Sequence, residues 1–332
     1  MKIIAYNVQG YEEKAFAEWS EKTGIEVELC RDLITPESIE KAKGFDGVTT
    51  QQVIPVKDEA VFKKMQEYGI KQIASRTAGV DMFGLDMAKE HGVSITNVPR
   101  YSPTAIAEMA VTKAMLLLRN LKHIERAQSE GDFTWAHRLI AKEMRTCTVG
   151  IIGTGAIGLT AARLFKGLGA KVIGYDAFKN PNAEGILEYR DNLEDLLGES
   201  DVISLHLPLM DSTYHILNAD NIPKIKKDAV VVNTGRGALI DMEALIPYLE
   251  NGHLRGAGLD VLEIETIYVN QNCGIDAIKG TYVEKLMSMD NVDLTGHFAF
   301  FTESAVGEMV SIALDNIKTQ VETGEVTNCM NK

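Results

Sequence analysis

Short apolar runs rich in β-branched residues recur along the chain, and segments of helical period separate them. A first series of these runs covers residues 2–6, 27–30, 72–75 and 93–98. A second, more continuously apolar series covers residues 149–152, 171–175, 202–205, 229–232, 258–261 and 292–295. Strands that alternate with helices are typical of βαβ units, and continuously apolar strands are typical of parallel sheets covered on both faces. The pattern predicts an α/β protein with two parallel sheets.

Helix signals between the two series and near the end of the chain define the predicted domains. Ser102 and Pro103 form an N-cap and first-turn signal, which predicts a long helix through about residue 121. A second amphipathic helix is predicted over about residues 302–323 and ends at Gly324. No low-complexity linker separates the two series, so we expect one domain to be discontinuous in sequence. The predicted domains are residues 1–101 with 299–332, and residues 102–298.

A glycine pattern follows the first strand of the second series. The sequence GTGAIG fits G-x-G-x-x-G between a strand and a helix, a pattern that binds a dinucleotide pyrophosphate. Asp176 ends the next strand, 18 residues after the last glycine, where a carboxylate binds the adenosine ribose hydroxyls. A carboxylate there repels a 2′-phosphate, so we expect NAD, and Lys179 lies close enough to keep NADP as the alternative. The residues predicted to bind the dinucleotide here are Gly153, Gly155, Ala156, Ile157, Gly158 and Asp176.

Polar residues follow three later strands of the second series. Arg236 lies on a glycine-flanked turn, and its guanidinium would bind a carboxylate through two parallel hydrogen bonds. Asp260, Glu263 and Glu265 follow the next strand and His297 follows the one after it, and a histidine can donate or accept a proton near neutral pH. The alternatives are an Arg236 that only pairs with Asp241, a Glu265 that faces solvent and a His297 that is a capped or solvated residue.

Composition narrows the classes of partner. The chain has 332 residues with 47 acidic and 34 basic side chains, a net charge of −13, so nucleic acid and anionic membranes are not expected partners. The four cysteines lie far apart without a CxxC pair, which argues against a zinc site or a disulfide framework. The first residues lack a signal-peptide pattern, and the most apolar helical stretch is too short to cross a membrane. We expect a cytoplasmic protein without a metal site.

Taken together, these motifs resemble the D-isomer-specific 2-hydroxyacid dehydrogenase family, and within it the D-lactate and D-2-hydroxyisocaproate dehydrogenases. They follow the family's order over essentially the whole chain: RTAGVD at 76–81, NVPRYSP at 97–103, the glycine pattern at 149–158, VNTGRG at 232–237, LDV at 259–261, Glu265 and His297. The resemblance implies a Rossmann doubly wound sheet inserted into a smaller flavodoxin-like α/β domain. It also implies reversible hydride transfer between NADH and a small 2-oxo monocarboxylic acid, which gives the D-2-hydroxy acid. An NAD(H)-sensing corepressor-type protein on the same scaffold is the alternative.

The resemblance further implies a role for each site residue. Arg236 binds the substrate carboxylate and carbonyl, His297 is the general acid/base, and Glu265 is the carboxylate partner of His297. The other residues implied to line the cofactor groove are Leu207, Pro208, Thr213, Thr234, Gly235 and Asp260, with Arg236. The residues implied to bind the substrate are Ala78 and Gly79 through their backbone N–H groups, together with Tyr101, Arg236 and Phe300.

The chain departs from the family at three places. The TTQQ sequence at 49–52, interpreted as a loop, lacks the tyrosine that many D-lactate enzymes place there, so we expect room for branched or aromatic 2-oxo acids. It also lacks an arginine for a second carboxylate, which disfavours 2-oxoglutarate. Gly296 stands where the family usually has proline, and residues 264–285 match less clearly apart from Glu265. A homodimer is expected, because the apolar helix at 102–121 would be buried against a partner.

Overall fold

The computed structural model describes residues 1–99 and 101–332, so Arg100 of the NVPRYSP motif lies outside the described residues. The chain divides into two compact units, Met1–Ser102 with Phe301–Lys332, and Pro103–Phe300. The chain therefore returns to the first unit after Phe300, two residues later than the predicted boundary at 299. Each unit contains one parallel sheet with helices, which confirms the predicted fold class.

The first unit contains a five-stranded parallel sheet in the order β2-β1-β3-β4-β5. This is the flavodoxin-like order, in which ligands bind beyond the carboxyl ends of the strands. The apolar side chains of the strands pack against the surrounding helices in a buried core. The elements are β1 (Ile3–Tyr6), α1 (Glu13–Thr23), β2 (Val27–Leu29), β3 (Gly47–Thr50), α2 (Glu59–Tyr68), β4 (Gln72–Ser75), α3 (Leu85–Glu90), β5 (Ser94–Thr96) and α10 (Glu303–Thr323).

Strand β3 was missed by the sequence pattern, which assigned Thr49 and Thr50 to a loop. Both threonines are fully buried between β1 and β4, and the Thr49 hydroxyl donates a hydrogen bond to the Ala74 carbonyl at 2.8 Å. Gly47 lets α10 approach closely, since a Cβ there would lie 2.2 Å from Ile317 Cγ2. Hydroxyl groups satisfied inside the sheet therefore hide this strand from a hydrophobicity pattern.

The second unit contains a seven-stranded parallel sheet in the order β12-β11-β10-β9-β6-β7-β8. The strand order reverses between β6 and β9, which is the switch point where doubly wound Rossmann sheets bind ligands. Its elements are α4 (Pro103–Leu118), α5 (Leu121–Ser129), β6 (Thr148–Ile152), α6 (Ala156–Gly167), β7 (Lys171–Tyr175), β8 (Glu188–Tyr189), α7 (Leu193–Glu199), β9 (Val202–Leu205), β10 (Val230–Asn233), α8 (Met242–Glu250), β11 (Gly256–Leu259), α9 (Tyr282–Ser288) and β12 (Val292–Leu294).

The long helix predicted through about residue 121 is broken in the structure. Helix α4 ends at Leu118, and Asn120 takes a left-handed conformation with φ of +54° before α5 begins. The Asn120 side chain bonds the Ile140 carbonyl and accepts from Arg255, which compensates for the unfavourable backbone. The buried side of α4 lies in the core of its own unit, where Ala107, Ala110, Ala114, Leu117 and Leu118 pack.

No helix in the described part of the chain is long and apolar enough to cross a membrane.

Candidate active site

The glycine-rich turn connects β6 to the first residues of α6. Gly153 has φ of +94°, and a Cβ there would lie 2.7 Å from the carbonyl carbon of His206. A Cβ on Gly158 would lie 1.9 Å from the Gly153 carbonyl oxygen, so only glycine lets helix and strand approach this closely. No heavy atom lies within 4 Å of the position of a Cβ on Gly155, the residue before Ala156 and Ile157 in the first turn of α6. The helix N-terminus is therefore open to an anionic group.

Asp176 is fixed beside this turn at the end of β7. Its Oδ2 accepts hydrogen bonds from Thr154 N at 2.6 Å and Thr154 Oγ1 at 3.1 Å, and its Oδ1 accepts from Phe178 N at 3.1 Å. The Tyr189 hydroxyl forms a hydrogen bond of 2.8 Å with Thr154 Oγ1 and so helps to fix the Thr154 side chain. Lys179, the residue on which the NADP alternative rests, forms an ion pair with Asp191 at 2.8 Å. The carboxylate is held in place at the position that the glycine pattern predicts.

Two buried polar atoms at the ends of β9 and β10 have no hydrogen-bond partner among the described residues. They are His206 Nδ1 and Thr234 Oγ1. Burial lowers the pKa of His206 to about 4, while its Nε2 bonds Ser204 Oγ at 2.9 Å, so the ring is neutral at pH 7. Orphaned polar atoms at a switch point, beside an open helix N-terminus, fit a dinucleotide with polar groups of its own.

The loop after β9 is closed by Thr213. Its hydroxyl donates to the Pro208 carbonyl at 2.7 Å and accepts from Met210 N at 2.8 Å. The Leu207 carbonyl oxygen lies 3.4 Å from the position of a Cβ on Gly235, so this loop packs against the turn after β10. Thr213 therefore shapes the loop, and its hydroxyl is already engaged within the chain.

His297 lies in a turn that Asp260 holds together. His297 has φ of +64°, a left-handed conformation that is unfavourable for residues other than glycine. The fully buried Asp260 carboxylate accepts from Phe298 N and Ala299 N, both at 2.9 Å, and from the Thr295 hydroxyl. The Asp260 carbonyl accepts from His297 N at 2.6 Å. The backbone and the side chain of Asp260 thus hold the turn with His297 in its unfavourable left-handed conformation. Strained backbone of this kind clusters at functional sites.

The His297 ring is paired with Glu265. Its Nδ1 lies 3.0 Å from Glu265 Oε1, and Glu265 Oε2 accepts from Leu262 N at 3.3 Å. The two side chains are 32% and 21% exposed, so they are shielded but reachable from solvent. A bonded Nδ1 fixes the ring orientation and leaves Nε2 to exchange a proton with a ligand. The contact favours a paired Glu265 and His297 over the interpretations in which each side chain only faces solvent.

Arg236 is the charged residue at the end of β10. Its Nη1 donates to the Gly235 carbonyl at 2.9 Å, and it forms no ion pair within the described chain. Asp241, its alternative partner, instead caps α8 by accepting from Ala244 N. A Cβ on Gly237 would lie 2.0 Å from the Leu262 carbonyl carbon, so the arginine turn packs against the segment that leads to Glu265. Half-buried and unpaired, the guanidinium can bind an anion.

Around this site lie Glu263, Tyr214 and Tyr268, to which the sequence assigned no role. Glu263 is engaged by the Tyr214 hydroxyl at 3.1 Å and by His215 Nε2 at 3.0 Å. The Tyr268 ring lies 3.7 Å from the position of a Cβ on Gly296, and burial raises the pKa of its hydroxyl. An aromatic residue in an irregular segment gives no periodic signal, which is why residues 264–285 stayed unassigned.

In the first unit, the loop after β4 presents Ala78 and Gly79. The carbonyls of this loop are all bonded: Val98 N donates to Thr77 O at 3.0 Å, Asn97 Nδ2 to Ala78 O at 2.7 Å, and Thr77 Oγ1 to Gly79 O at 2.6 Å. The amide N–H groups of Ala78 and Gly79 donate to no acceptor among the described residues. A fixed backbone with two unused donors suits a carboxylate.

The two aromatic residues predicted at the substrate belong to different units. Tyr101 is half-buried and packs against the core of the first unit. Phe300 is the last residue of the second unit, and its ring lies edge-on to His297 with centroids 6.2 Å apart. Among the described residues no cluster of side chains suits a metal ion.

Comparison with known proteins identifies the family. The family model for the D-isomer specific 2-hydroxyacid dehydrogenase NAD binding domain matches residues 111–299. A D-2-hydroxyacid dehydrogenase (NAD(+)) of Clostridioides difficile is 43% identical over 332 residues, which is 100% of both chains. The structure of a D-2-hydroxyisocaproate dehydrogenase has a TM-score of 0.95 at 38% identity and covers 100% of both chains.

The D-lactate dehydrogenase of Lactobacillus jensenii, solved with NAD+, has a TM-score of 0.94 at 37% identity and also covers 100% of both chains. The matched domain is the family's NAD-binding domain, which confirms the cofactor predicted from Asp176. The chain belongs to the D-isomer-specific 2-hydroxyacid dehydrogenase family.

Proposed function

We propose that this chain is an NAD-dependent D-2-hydroxyacid dehydrogenase that acts on small 2-oxo and 2-hydroxy monocarboxylic acids. The observation that carries the proposal is the His297–Glu265 contact of 3.0 Å in the same unit as an unpaired Arg236. Reduction of a 2-oxo acid requires a proton for the developing alkoxide and a cation for the carboxylate. These residues supply both, and the family relatives are named for this chemistry.

The cofactor would be held by the glycine-rich turn and its neighbours. The N-terminus of α6, from Gly155 onward, would bind the pyrophosphate, and Asp176 would accept hydrogen bonds from the adenosine ribose. Thr234 and the backbone of Leu207, Pro208 and Gly235 would line the groove, while Thr213 shapes the loop beside it. When bound there, the nicotinamide would supply the hydride that reduces the carbonyl carbon of the substrate.

The chain's own residues would bind the negative charge of the substrate and transfer the proton. Arg236 binds the substrate carboxylate and polarises the carbonyl, and protonated His297 donates the proton from Nε2 to the carbonyl oxygen. Glu265 stabilises the imidazolium and keeps Nδ1 bonded. In the reverse direction neutral His297 accepts the hydroxyl proton. Asp260, whose carboxylate bonds the 295–299 turn, acts as a positioning residue for His297 and would shape the nicotinamide side of the groove.

The first unit would supply further donors for the substrate. The unused amides of Ala78 and Gly79 would donate to the substrate carboxylate, and Tyr101 would be the aromatic substrate contact of this unit. Phe300, beside His297, would be that of the second unit. A net charge of −13 makes this local supply of donors and cations necessary for an anionic substrate.

A homodimer in the cytoplasm completes the proposal. The buried side of α4 is used within its own unit, so the expected dimer surface is better supported by residues 133–140. There Phe133 and Ile140 are 70% and 64% exposed, and Trp135 is fully exposed. Exposed aromatic residues of this kind are typical of an interface core. The cytoplasmic location is supported by four free thiols, two of them buried.

The test is NADH oxidation with pyruvate, 2-oxoisocaproate, phenylpyruvate and 2-oxoglutarate, followed by chiral analysis of the product. The proposal predicts turnover of the monocarboxylic acids with a D product and little turnover of 2-oxoglutarate. An L product would contradict it. Binding of NADH without turnover of any of the four acids would instead support the sensor-type alternative.

A further inference from the structure

We propose that Tyr11 is a specificity-determining residue, whose ring forms, with Phe301, an aromatic wall for the side chain of branched 2-oxo acids. This inference rests on the proposed function and names the part of the substrate that the first unit selects. It starts from the absence of a tyrosine at residues 49–52. In the structure the Tyr11 side chain, on the turn after β1, reaches Gln51 of this segment.

Tyr11 reaches the end of β3 from the turn that follows β1. Its hydroxyl bonds Gln51 Oε1 at 3.3 Å, directly after the last residue of β3. Its ring packs edge-on against Phe301, with centroids 4.8 Å apart and an interplanar angle of 87°. Burial and the neighbouring Glu12 raise the pKa of Tyr11, so the hydroxyl stays protonated and donates to Gln51. The ring is therefore held at two points.

The strand order places these residues beside the proposed carboxylate-binding loop. Strands β1, β3 and β4 are parallel neighbours, so the loops after them share one edge of the sheet. Tyr11 follows β1, Gln51 follows β3, and Ala78 follows β4. If the substrate carboxylate binds the Ala78 and Gly79 amides, the loops that carry Gln51 and Tyr11 are the next ones along the same sheet edge.

A buried ion pair couples the Tyr11 turn to that loop. Glu12, the next residue, is 1% exposed and its Oε1 accepts from Arg76 Nε at 2.7 Å. Arg76 Nη2 also donates to the Tyr6 carbonyl at 3.0 Å, and Asn7 Nδ2 donates to the Gln51 carbonyl at 2.7 Å. The three loops are thus bonded to one another. A ring fixed in this way can discriminate between substrates, because it cannot move aside at low cost.

The chemistry of the wall selects for apolar side chains. Two edge-on aromatic rings offer apolar surface, and Gln51 Oε1 beside them already accepts a hydrogen bond from the Tyr11 hydroxyl. The isobutyl group of 2-oxoisocaproate has enough surface to use such a wall, whereas the methyl group of pyruvate has little. One methylene in an apolar pocket changes kcat/KM by about 10-fold or more.

The experiment compares kcat/KM for pyruvate and 2-oxoisocaproate in the wild type, Tyr11→Ala and Tyr11→Phe. We expect Tyr11→Ala to lower the 2-oxoisocaproate to pyruvate ratio by about 10-fold, and Tyr11→Phe, which keeps the ring, to change it by less than about 3-fold. Val321→Ala on α10 is the matched control, since Val321 is 36% exposed in the same unit and Tyr11 is 40% exposed. NADH affinity and thermal unfolding show whether each variant is folded.

The outcomes separate this inference from the proposed function. A folded Tyr11→Ala variant whose ratio equals that of the wild type, or whose two activities fall equally, overturns the inference and leaves the dehydrogenase assignment intact. A wild type that turns over neither acid overturns both.

Discussion

The backbone carbonyl of Asp260 accepts a 2.6 Å hydrogen bond from the N–H of His297, while its fully buried carboxylate bonds the two residues that follow, Phe298 and Ala299. One residue thereby fixes the backbone on both sides of the proposed general acid. The left-handed conformation of His297 is held by these bonds and not by its own preference. The direction of the imidazole therefore depends on Asp260 as well as on its direct partner Glu265.

Asp260→Asn should therefore lower turnover and stability together. An amide in place of the carboxylate leaves one of the two N–H groups without an acceptor, which for the buried Ala299 N–H costs about 1–3 kcal/mol of unfolding free energy. We expect kcat to fall by about 10²-fold because His297 loses its fixed position, with NADH affinity changed much less. Urea unfolding and steady-state kinetics measure both effects. The exposed Asp220→Asn serves as the control, and an unchanged kcat in Asp260→Asn would contradict the positioning role.

Asp176→Asn should weaken NADH binding and reduce discrimination against NADPH. A hydrogen bond to a charged acceptor contributes about 1.5 kcal/mol or more, so we expect the Kd for NADH to rise about 10-fold. Fluorescence titration with NADH and NADPH gives both constants. The control is Asp191→Asn, which breaks only the exposed pair with Lys179. An equal rise in the two variants would show that Asp176 has no specific role.

Glu12→Gln should destabilise the first unit strongly, because it leaves the fully buried Arg76 without its anionic partner. Breaking a buried ion pair costs about 3–5 kcal/mol. Its sequence neighbour provides a control: Glu13 pairs with Arg31 at the surface, with side chains 50% and 56% exposed, so Glu13→Gln should cost about 0.5 kcal/mol or less. Urea unfolding of the two variants gives the comparison. A loss below about 1 kcal/mol in Glu12→Gln would contradict this account of the loop.

His206 should make stability depend on pH in the mildly acidic range. Burial lowers the pKa of His206 to about 4 in the folded protein, whereas the unfolded chain protonates this residue near its usual pKa of about 6.5. The unfolded state therefore binds more protons between these values, and stability falls as the pH drops from 7 to 5. This one group contributes about 1–2 kcal/mol of that loss. His206→Gln should show a correspondingly smaller loss in urea unfolding, and identical pH slopes would refute the assignment.

Much of the site could be anticipated from residue types at strand ends. The glycine pattern and Asp176 lie side by side at one edge of the sheet, because βαβ geometry brings the ends of β6 and β7 together. His297 and Glu265 lie 32 residues apart in sequence and meet at 3.0 Å, as the family pattern implies. Here the local motifs and the sheet topology bring the same residues together, which is why the sequence predicts this part of the site.

What the sequence did not reveal depends on contacts without a local signal. Tyr11 and Phe301 pack edge-on from opposite ends of the chain, and Asp260 binds backbone N–H groups, which carry no side-chain signature. Strand β3 satisfies its threonine hydroxyls inside the sheet, and the break between α4 and α5 depends on Arg255 and Ile140 capping Asn120. In each case a tertiary partner overrides the local pattern.

The most direct test of the central claim is turnover by His297→Gln with 2-oxoisocaproate and NADH. If His297 donates the proton, kcat should fall by about 10²–10⁴-fold, while the Kd for NADH stays close to that of the wild type. His123→Gln, on the surface of α5, should retain full activity. Near-normal turnover in folded His297→Gln would contradict the assignment of the general acid.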